Sequence, residues 1–200
     1  MSKHLSILIS LAFGLLLLTA PVHAGNPYFS GCAGLSFSGT QNIDNAGGTA
    51  SVKLPLDAGP NLQGALGYRE GRWRAEGELG YQNQGLGTGG RGHLRATSFL
   101  VNGYCDFSGG GMEPYLTAGI GGAGISMSDW SLGSDTYSSS GSTTKVAWQA
   151  GAGISFPICV CKCTAVDLRY RYFATTRIAD AGHAYTPSNS ALLLGLRVGF

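Results

Sequence analysis

The stretch WRAEGELGYQ, residues 73–82, decides the fold of this chain. Its odd positions carry tryptophan, alanine, glycine, leucine and tyrosine, whereas its even positions carry arginine, two glutamates, glycine and glutamine. This alternation is typical of a β-strand with one apolar and one polar face. It recurs over residues 166–172 (VDLRYRY) and 145–156 (KVAWQAGAGISF). The sequence therefore predicts an all-β protein whose strands exceed the usual length of about 5–6 residues.

Segments with strand character follow one another along the whole chain. They cover residues 28–38, 61–68, 73–82, 94–107, 113–126, 145–156, 164–175 and 190–200. The connections after the second, fourth and sixth segments are short, and the other connections are longer and polar, most clearly 127–144. Outer-membrane barrels have short turns on one rim and long loops on the other. We therefore predict an eight-stranded antiparallel up-and-down transmembrane β-barrel with both chain ends in the periplasm.

The N-terminal segment has the pattern of a secretory signal peptide. A short positive start that contains Lys3 precedes an apolar run over residues 5–18, and small residues stand near Ala24. The apolar run is shorter than the roughly 20 residues that a membrane-spanning helix needs. We expect a cleaved signal peptide over 1–24 and one barrel domain over 25–200, located in the bacterial outer membrane.

The composition is poor in charge and rich in glycine. The 200 residues include 13 Lys+Arg, 11 Asp+Glu and 33 glycines, and only 12% are charged. Soluble domains are about 25% charged on average. A net charge of +2 without basic runs disfavours nucleic acid as a partner. At 44% hydrophobic residues the chain can still bury a core. This composition also disfavours a collagen-like rod and a multidomain enzyme.

The polar positions of the strands are expected to line the barrel interior, because the outer wall meets hydrocarbon. This predicted lumen network comprises Gln63, Arg74, Glu76, Glu78, Lys145, Gln149, Asp167, Arg169, Arg171 and Arg197. Together with Arg69 it holds more bases than acids, so we expect incomplete pairing. An alternative position for Arg69 and Arg74 is the periplasmic rim.

The apolar positions of the same strands are expected to face lipid. Aromatic residues near strand ends form girdles at the two membrane interfaces of such barrels. The residues assigned to this lipid-facing aromatic set are Trp73, Tyr81, Trp148, Phe156, Tyr170 and Tyr172.

Four motifs carry a resemblance to a known family. They are EPYLTAGIGGA at 113–123, WQAGAG at 148–153, DLRYRYF at 167–173 and LGLRVGF at 194–200. Over most of the chain after residue 24, the sequence resembles the opacity-like and OmpA-like outer-membrane β-barrel proteins, often called porin family proteins. The resemblance implies that the terminal aromatic residue, here Phe200, is an assembly signal read by the barrel-assembly machinery through the C-terminal strand. Cys105 departs from the family pattern, in which an aromatic residue is common.

The five cysteines fall into two groups. Cys159, Cys161 and Cys163 share the last short turn, where we favour a Cys159–Cys163 disulfide over free thiols or a soft-metal site. Cys32 and Cys105 lie on strands that are not neighbours and point to opposite faces, so we expect them to act as small apolar fillers. No cofactor is expected.

Catalytic residues are hard to identify in this sequence. After residue 24 the histidines are His93 and His183, both in predicted loops, with Asp180 close to His183. A working site also needs an oriented nucleophile and an oxyanion stabiliser. The glycine pattern at 119–124 lacks the strand–helix setting of a nucleotide site. We therefore expect the protein not to be an enzyme.

The barrel size limits the functions that remain. Eight strands enclose a space that side chains fill, so a wide diffusion pore is disfavoured. We expect an outer-membrane protein that contacts membrane lipid and acts through its surface loops, by binding a surface ligand in adhesion or surface contact, or by supporting envelope integrity. The alternatives are a narrow ion-conducting channel and a soluble periplasmic lipocalin-like barrel. The second would bury the charges of Glu76, Glu78, Arg169 and Arg171 in an apolar pocket, which is costly.

Overall fold

Long antiparallel strands form the body of the molecule. The computed structural model describes residues 25–37, 41–45, 51–54, 57–85, 90–107, 111–132, 135–137, 141–158, 164–180 and 183–200. The predicted signal peptide and the cluster of Cys159, Cys161 and Cys163 lie outside these ranges. The eight long strands are β1 (Asn26–Phe37), β2 (Gly59–Glu70), β3 (Trp73–Gly85), β4 (Gly90–Asp106), β5 (Glu113–Leu132), β6 (Gly141–Pro157), β7 (Thr164–Thr175) and β8 (Ser188–Gly199). In the described part of the chain, no helix is long and apolar enough to cross a membrane.

The eight strands close into a barrel in sequence order. Each strand pairs antiparallel with the next one, and β1 pairs with β8 through contacts such as Ala33 opposite Leu194. Closure therefore leaves none of the eight strands as a free edge. Both ends of the described chain, Gly25 and Phe200, lie with the short turns at one end of the barrel, called here the terminal end. The opposite end, reached by the longer connections, is called the loop end. This confirms the predicted eight-stranded up-and-down architecture.

The hairpins at the loop end are longer than the side-chain pattern indicates. The predicted loop 127–144 is mostly strand, because β5 continues to Leu132 and β6 begins at Gly141. A short strand, Asp135–Tyr137, pairs back onto the end of β5. Similarly, the polar connection after β3 shrinks to residues 86–89 between Gly85 and Gly90. Backbone pairing does not require alternating side chains, so ladders continue where the sequence pattern stops.

Two of the connections at the loop end build a second sheet. Strands Gln41–Asn45 and Ser51–Leu54 come from the β1–β2 connection, and strands Ile178–Asp180 and His183–Tyr185 come from the β7–β8 connection. The two connections meet because β1 and β8 are neighbours in the closed barrel. Within this sheet, Asp180 is the register partner of His183.

The two faces of the barrel wall differ as the alternation predicts. On β3 the even-numbered residues from Arg74 to Gln84 are buried inside the barrel, while Trp73, Leu79 and Tyr81 are exposed on the outside. An outer wall of exposed leucine, valine, isoleucine and aromatic side chains is the surface that a lipid environment accommodates.

Glycines make room for rings inside the barrel. The Tyr28 ring occupies the space that a Cβ would take at Gly67, and the Tyr115 ring does the same at Gly153. Each pair lies on neighbouring strands, β1–β2 and β5–β6. The absence of side chains at Gly67 and Gly153 therefore lets two large rings pack close to the backbone of the neighbouring strand.

Candidate functional site

The polar residues predicted for the lumen lie inside the barrel. Buried there are Gln63, Arg74, Glu76, Glu78, Gln149, Asp167, Arg169, Arg171 and Arg197. Lys145 is half-buried at a position of the same phase on β6. The two candidates for the periplasmic rim separate, because Arg74 is fully enclosed whereas the Arg69 side chain is 29% exposed near the terminal end.

An arginine–carboxylate pair lies just inside the terminal end. Arg74 Nε donates to both carboxylate oxygens of Asp106, over 3.0 and 2.9 Å. Arg74 Nη1 is also 3.6 Å from Glu76 Oε1. Glu76 in turn accepts hydrogen bonds from the hydroxyls of Tyr28 at 2.8 Å and Tyr104 at 2.6 Å. The buried charges are thus held by several partners, which is the condition under which charge burial is tolerated.

Aromatic faces complete the surroundings of Arg74. Its guanidinium carbon is 4.3 Å from the ring centre of Tyr104 and 4.8 Å from that of Tyr115. Arg169 approaches the same two rings from farther away, at 5.3 and 6.0 Å. Cation–π attraction of this kind is strongest for desolvated cations, so both rings stabilise the arginines as well as filling space.

A second chain of contacts runs along the terminal rim. Arg69 Nη1 is 3.0 Å from Glu113 Oε2, and Arg197 Nη2 is 3.7 Å from the same oxygen. Arg197 also donates to the Ser155 hydroxyl at 3.3 Å, and that hydroxyl donates to Asp167. These contacts connect β2, β5, β6, β7 and β8, so side-chain contacts link strands across the lumen at the terminal end.

The middle of the lumen is organised around Glu78. Its carboxylate is 3.6 Å from Arg169 Nη1 and 3.6 Å from Arg171 Nη2. Asn102 and Gln149 donate to Glu78 Oε2 at 2.9 and 3.3 Å. Residues from β3, β4, β6 and β7 therefore meet across the full width of the barrel.

Some polar atoms in this central cluster have no hydrogen-bond partner among the described residues. They include Glu78 Oε1, Gln149 Oε1 and both Nε and Nη2 of Arg171. Arg169, in contrast, donates to Tyr115 at 3.2 Å and to Gln63 at 3.3 Å. The Arg171 side of the lumen is therefore less tightly bonded than the Arg169 side, and buried groups of this kind commonly bind internal water.

Sequence reasoning missed several members of the network: Tyr28, Tyr104, Asp106, Glu113 and Tyr115. The strand phase could have found Asp106, because it continues the even positions of Asn102 and Tyr104 on β4. With Asp106 and Glu113, five carboxylates face five arginines: Glu76, Glu78, Asp106, Glu113 and Asp167 against Arg69, Arg74, Arg169, Arg171 and Arg197. The excess of bases over acids is therefore smaller than expected: one base, Lys145, remains, and it lies farther toward the loop end.

The aromatic set lies on the outer wall. Trp73 and Phe156 are exposed near the terminal end, and Tyr81 and Tyr172 are exposed toward the loop end. Trp148 packs against Tyr172 with ring centres 5.5 Å apart. Tyr170 lies midway along β7, and its hydroxyl is 2.9 Å from the Ser190 hydroxyl, which gives this outward polar group a partner.

The described cysteines and His93 lie on different faces of the barrel wall. No group of three or more His, Cys, Asp and Glu residues suited to a metal occurs there. Cys32 is buried in the lumen and Cys105 is half-buried, and both are free thiols. His93 is exposed on the outer wall, on the face of β4 opposite to the lumen.

Solved structures share this barrel. Neisserial surface protein A is similar with a TM-score of 0.56 and 20% identity, covering 88% of this chain and 97% of that protein. The outer membrane protein OprG from Pseudomonas aeruginosa has a TM-score of 0.54 and 13% identity, covering 88% and 96%. No curated protein matches this sequence.

The expectation that the protein is not an enzyme is contradicted by a third similar structure. The outer membrane protease OmpT from Escherichia coli has a TM-score of 0.50 and 10% identity, covering 90% of this chain and 99% of that protein. A protein with a similar barrel, OmpT, is therefore an enzyme by its name. One fold can host many functions, which depend on the particular side chains of the site. The lack of a recognisable catalytic motif in the sequence was therefore too weak a reason to exclude an enzymatic activity.

A family comparison covers nearly the whole sequence. Residues 10–200 match the family described as outer membrane protein beta-barrel domain. The match includes all eight strands, and it agrees with the resemblance that the four motifs of the sequence carry. The chain belongs to this family of bacterial outer-membrane β-barrel proteins.

Proposed function

We propose that this protein is an integral outer-membrane barrel that acts through its loop end, in adhesion or surface contact or in envelope integrity, while its lumen excludes wide diffusion. The observation that carries the proposal is the cluster around Glu78. Arg169, Arg171, Asn102 and Gln149 reach this carboxylate from other strands and occupy the middle of the barrel. An interior that side chains fill in this way leaves little room for solutes of nutrient size.

The outer wall supports lipid as the surrounding medium. Leu66, Leu79, Ile120 and Leu194 are each more than 60% exposed on the outside, whereas the charged side chains of the lumen network are buried inside the barrel. A soluble lipocalin-like barrel requires the reverse arrangement, with the apolar face lining its ligand pocket. The polarity of the wall thus favours a membrane protein over the soluble alternative.

The loop-end sheet supports a role for the loops. Its strands come from the β1–β2 and β7–β8 connections, which therefore form joined structure beyond the barrel. Neisserial surface protein A, which has the same fold, is by its name a surface protein. In the orientation we propose, the loop end is outside the cell and both chain termini are in the periplasm.

Epitope insertion tests this orientation. One tag is inserted within residues 46–50, between two strands of the loop-end sheet, and a control tag within the Gly71–Arg72 turn at the terminal end. Antibody should label the first tag on intact cells and the second only after permeabilisation. The opposite pattern would reverse the orientation.

Loop replacement tests the function itself. The β1–β2 connection, residues 38–58, is replaced by a short turn, and a second variant shortens residues 176–187. Both variants should keep the heat-dependent gel shift of a folded barrel. Surface adhesion of the cells should fall if the loops make the contact. If adhesion and resistance to detergents are both unchanged, a function carried by these loops is wrong.

A narrow ion-conducting channel is the second candidate. Polar atoms of Glu78, Gln149 and Arg171 that have no hydrogen-bond partner among the described residues favour it, because they form a region of the lumen suited to water. Conductance in planar bilayers separates the two candidates. The first predicts a closed or barely conducting lumen, and the second predicts small steps that change in Glu78→Gln.

A further inference from the structure

A polar patch lies on the outer wall near the loop end, on strands β3, β4 and β5. Arg95 is at its centre, with Asn83 and Ser126 as its register partners on the two neighbouring strands. His93 and Thr97 lie two residues away on β4 and point to the same side of the sheet. Arg95, His93 and Thr97 are exposed, and Asn83 and Ser126 are half-buried. These five residues are called the outer patch.

A cation at this place is unusual for the barrel. Among strand residues whose side chains are described, Arg95 is the one arginine or lysine exposed on the outer wall. It forms no ion pair with another described residue, whereas the arginines of the lumen all contact carboxylates. An outward-facing strand position in a membrane barrel normally carries an apolar side chain. We therefore expect the exposed charge of Arg95 to interact with a group outside the protein.

The position of Arg95 along the barrel axis indicates which part of the membrane surrounds it. From the terminal end, the outward positions before Arg95 are Phe107, just after the end of β4, and then Cys105, Gly103, Val101, Phe99 and Thr97 on β4. Twelve residues of a tilted strand rise by roughly 30 Å along a barrel axis, against an apolar band of about 25 Å. Arg95 therefore lies just beyond the hydrocarbon, at the level of lipid headgroups.

We propose that the outer patch binds a phosphate group of lipid A in the outer leaflet of the membrane. The Arg95 guanidinium offers a planar fork of donors that matches phosphate geometry. Asn83 and Ser126 add an amide and a hydroxyl on either side, and His93 adds a ring N–H. Directly below, Tyr81 is the register partner of Thr97, so an aromatic side chain lines the path of the acyl chains.

This proposal rests on the proposed orientation, in which the loop end lies in the outer leaflet. The affinity of the patch is nevertheless measurable without that orientation, on purified barrel in a phosphate-free detergent. Failure of the binding test would overturn the patch, and failure of the epitope test would overturn the orientation.

The experiment titrates purified barrel with lipid A that carries two phosphates, and counts bound lipid by native mass spectrometry. The variant is Arg95→Gln, and the matched control is Arg72→Gln, which removes an exposed arginine in the turn at the terminal end. A heat-dependent gel shift verifies folding of each protein. Arg95→Gln should weaken lipid A binding about fivefold, the effect expected for one arginine at a charged lipid surface. Arg72→Gln should bind like the unmodified protein.

Two further probes identify what is recognised. Dephosphorylated lipid A should bind the unmodified barrel as weakly as phosphorylated lipid A binds Arg95→Gln. Inorganic phosphate at millimolar concentration should not displace bound lipid A, since the acyl chains also contribute. Equal binding of both lipids, displacement by inorganic phosphate, or an equal loss in Arg72→Gln would each overturn the proposal.

Discussion

Arg74 and Asp106, on neighbouring strands β3 and β4, form a buried ion pair in which one guanidinium nitrogen donates to both carboxylate oxygens. Neither side chain is more than 3% exposed. The Arg74 guanidinium also packs on the Tyr104 ring and lies near the Glu76 carboxylate. Its positive charge is therefore stabilised by a second carboxylate and an aromatic ring as well as by Asp106. A buried pair of this kind costs little when complete and a great deal when one partner is removed.

Asp106→Ala should therefore destabilise the barrel by about 3 kcal/mol, because it leaves Arg74 buried with less compensation. Urea unfolding in lipid vesicles, followed by tryptophan fluorescence, measures the loss. Asp57→Ala is the matched control, since Asp57 is an exposed aspartate outside the lumen. Equal stability of the two variants would show that the Arg74–Asp106 pair does not contribute as the geometry indicates.

Gly67→Ala should destabilise the barrel by about 1–3 kcal/mol, the usual cost of overfilling a packed site. The added methyl would enter the space of the Tyr28 ring and disturb the hydrogen bond from Tyr28 to Glu76. Gly64→Ala on the same strand is the control, because a Cβ there meets nothing within 4 Å. The same unfolding measurement applies, and a loss in Gly64→Ala as large as in Gly67→Ala would contradict the packing argument.

Leu168→Arg should cost about 2–4 kcal/mol, as expected for a cation facing the hydrocarbon near the midplane. Leu168 is 43% exposed on the outer wall and lies in the middle of the β7 range. Thr144→Arg places the same charge outward near the loop end of β6, where the cost should fall to about 0–1 kcal/mol. Refolding yields and unfolding curves in vesicles compare the two. A similar small cost at both positions would argue against a membrane around β7.

Phe200→Ala should slow assembly in cells and leave the folded barrel almost unchanged. The Phe200 side chain is 77% exposed, and the structural contact of this residue is a backbone hydrogen bond to Pro27 at 3.1 Å. Phe107→Ala, which removes another exposed aromatic ring near the terminal end, is the control. Pulse–chase gel-shift kinetics should separate the two variants. If Phe200→Ala assembles at the normal rate, the assembly role that the family resemblance implies for Phe200 is wrong.

Much of the fold was readable from the sequence because strand phase is a local property. Alternation over residues 73–82 and 166–172 assigns each side chain to one face of the sheet. A register shift of one residue would move every side chain of the strand to the other face. The even number of strands and the alternating connection lengths then led to an up-and-down barrel. The boundaries at the loop end were less predictable, because β5 and β6 continue through serine-rich sequence without an alternating pattern.

The sequence by itself therefore determined the number of barrel strands, their polar and apolar faces, and the burial of Glu76, Glu78, Arg169 and Arg171 inside the closed wall, while the structure placed Arg74 in the lumen and not at the rim. Tertiary structure alone decided which charges meet, because partners such as Glu78 and Arg171 are far apart in the chain and come together only through barrel closure and strand stagger. It likewise decided that Asp106 and Glu113 balance the arginines, and that Arg95 lies beside Asn83 and Ser126 on the outer wall. The physical reason is that strand phase depends on neighbouring residues, whereas pairing across the lumen depends on the register of every strand around the barrel.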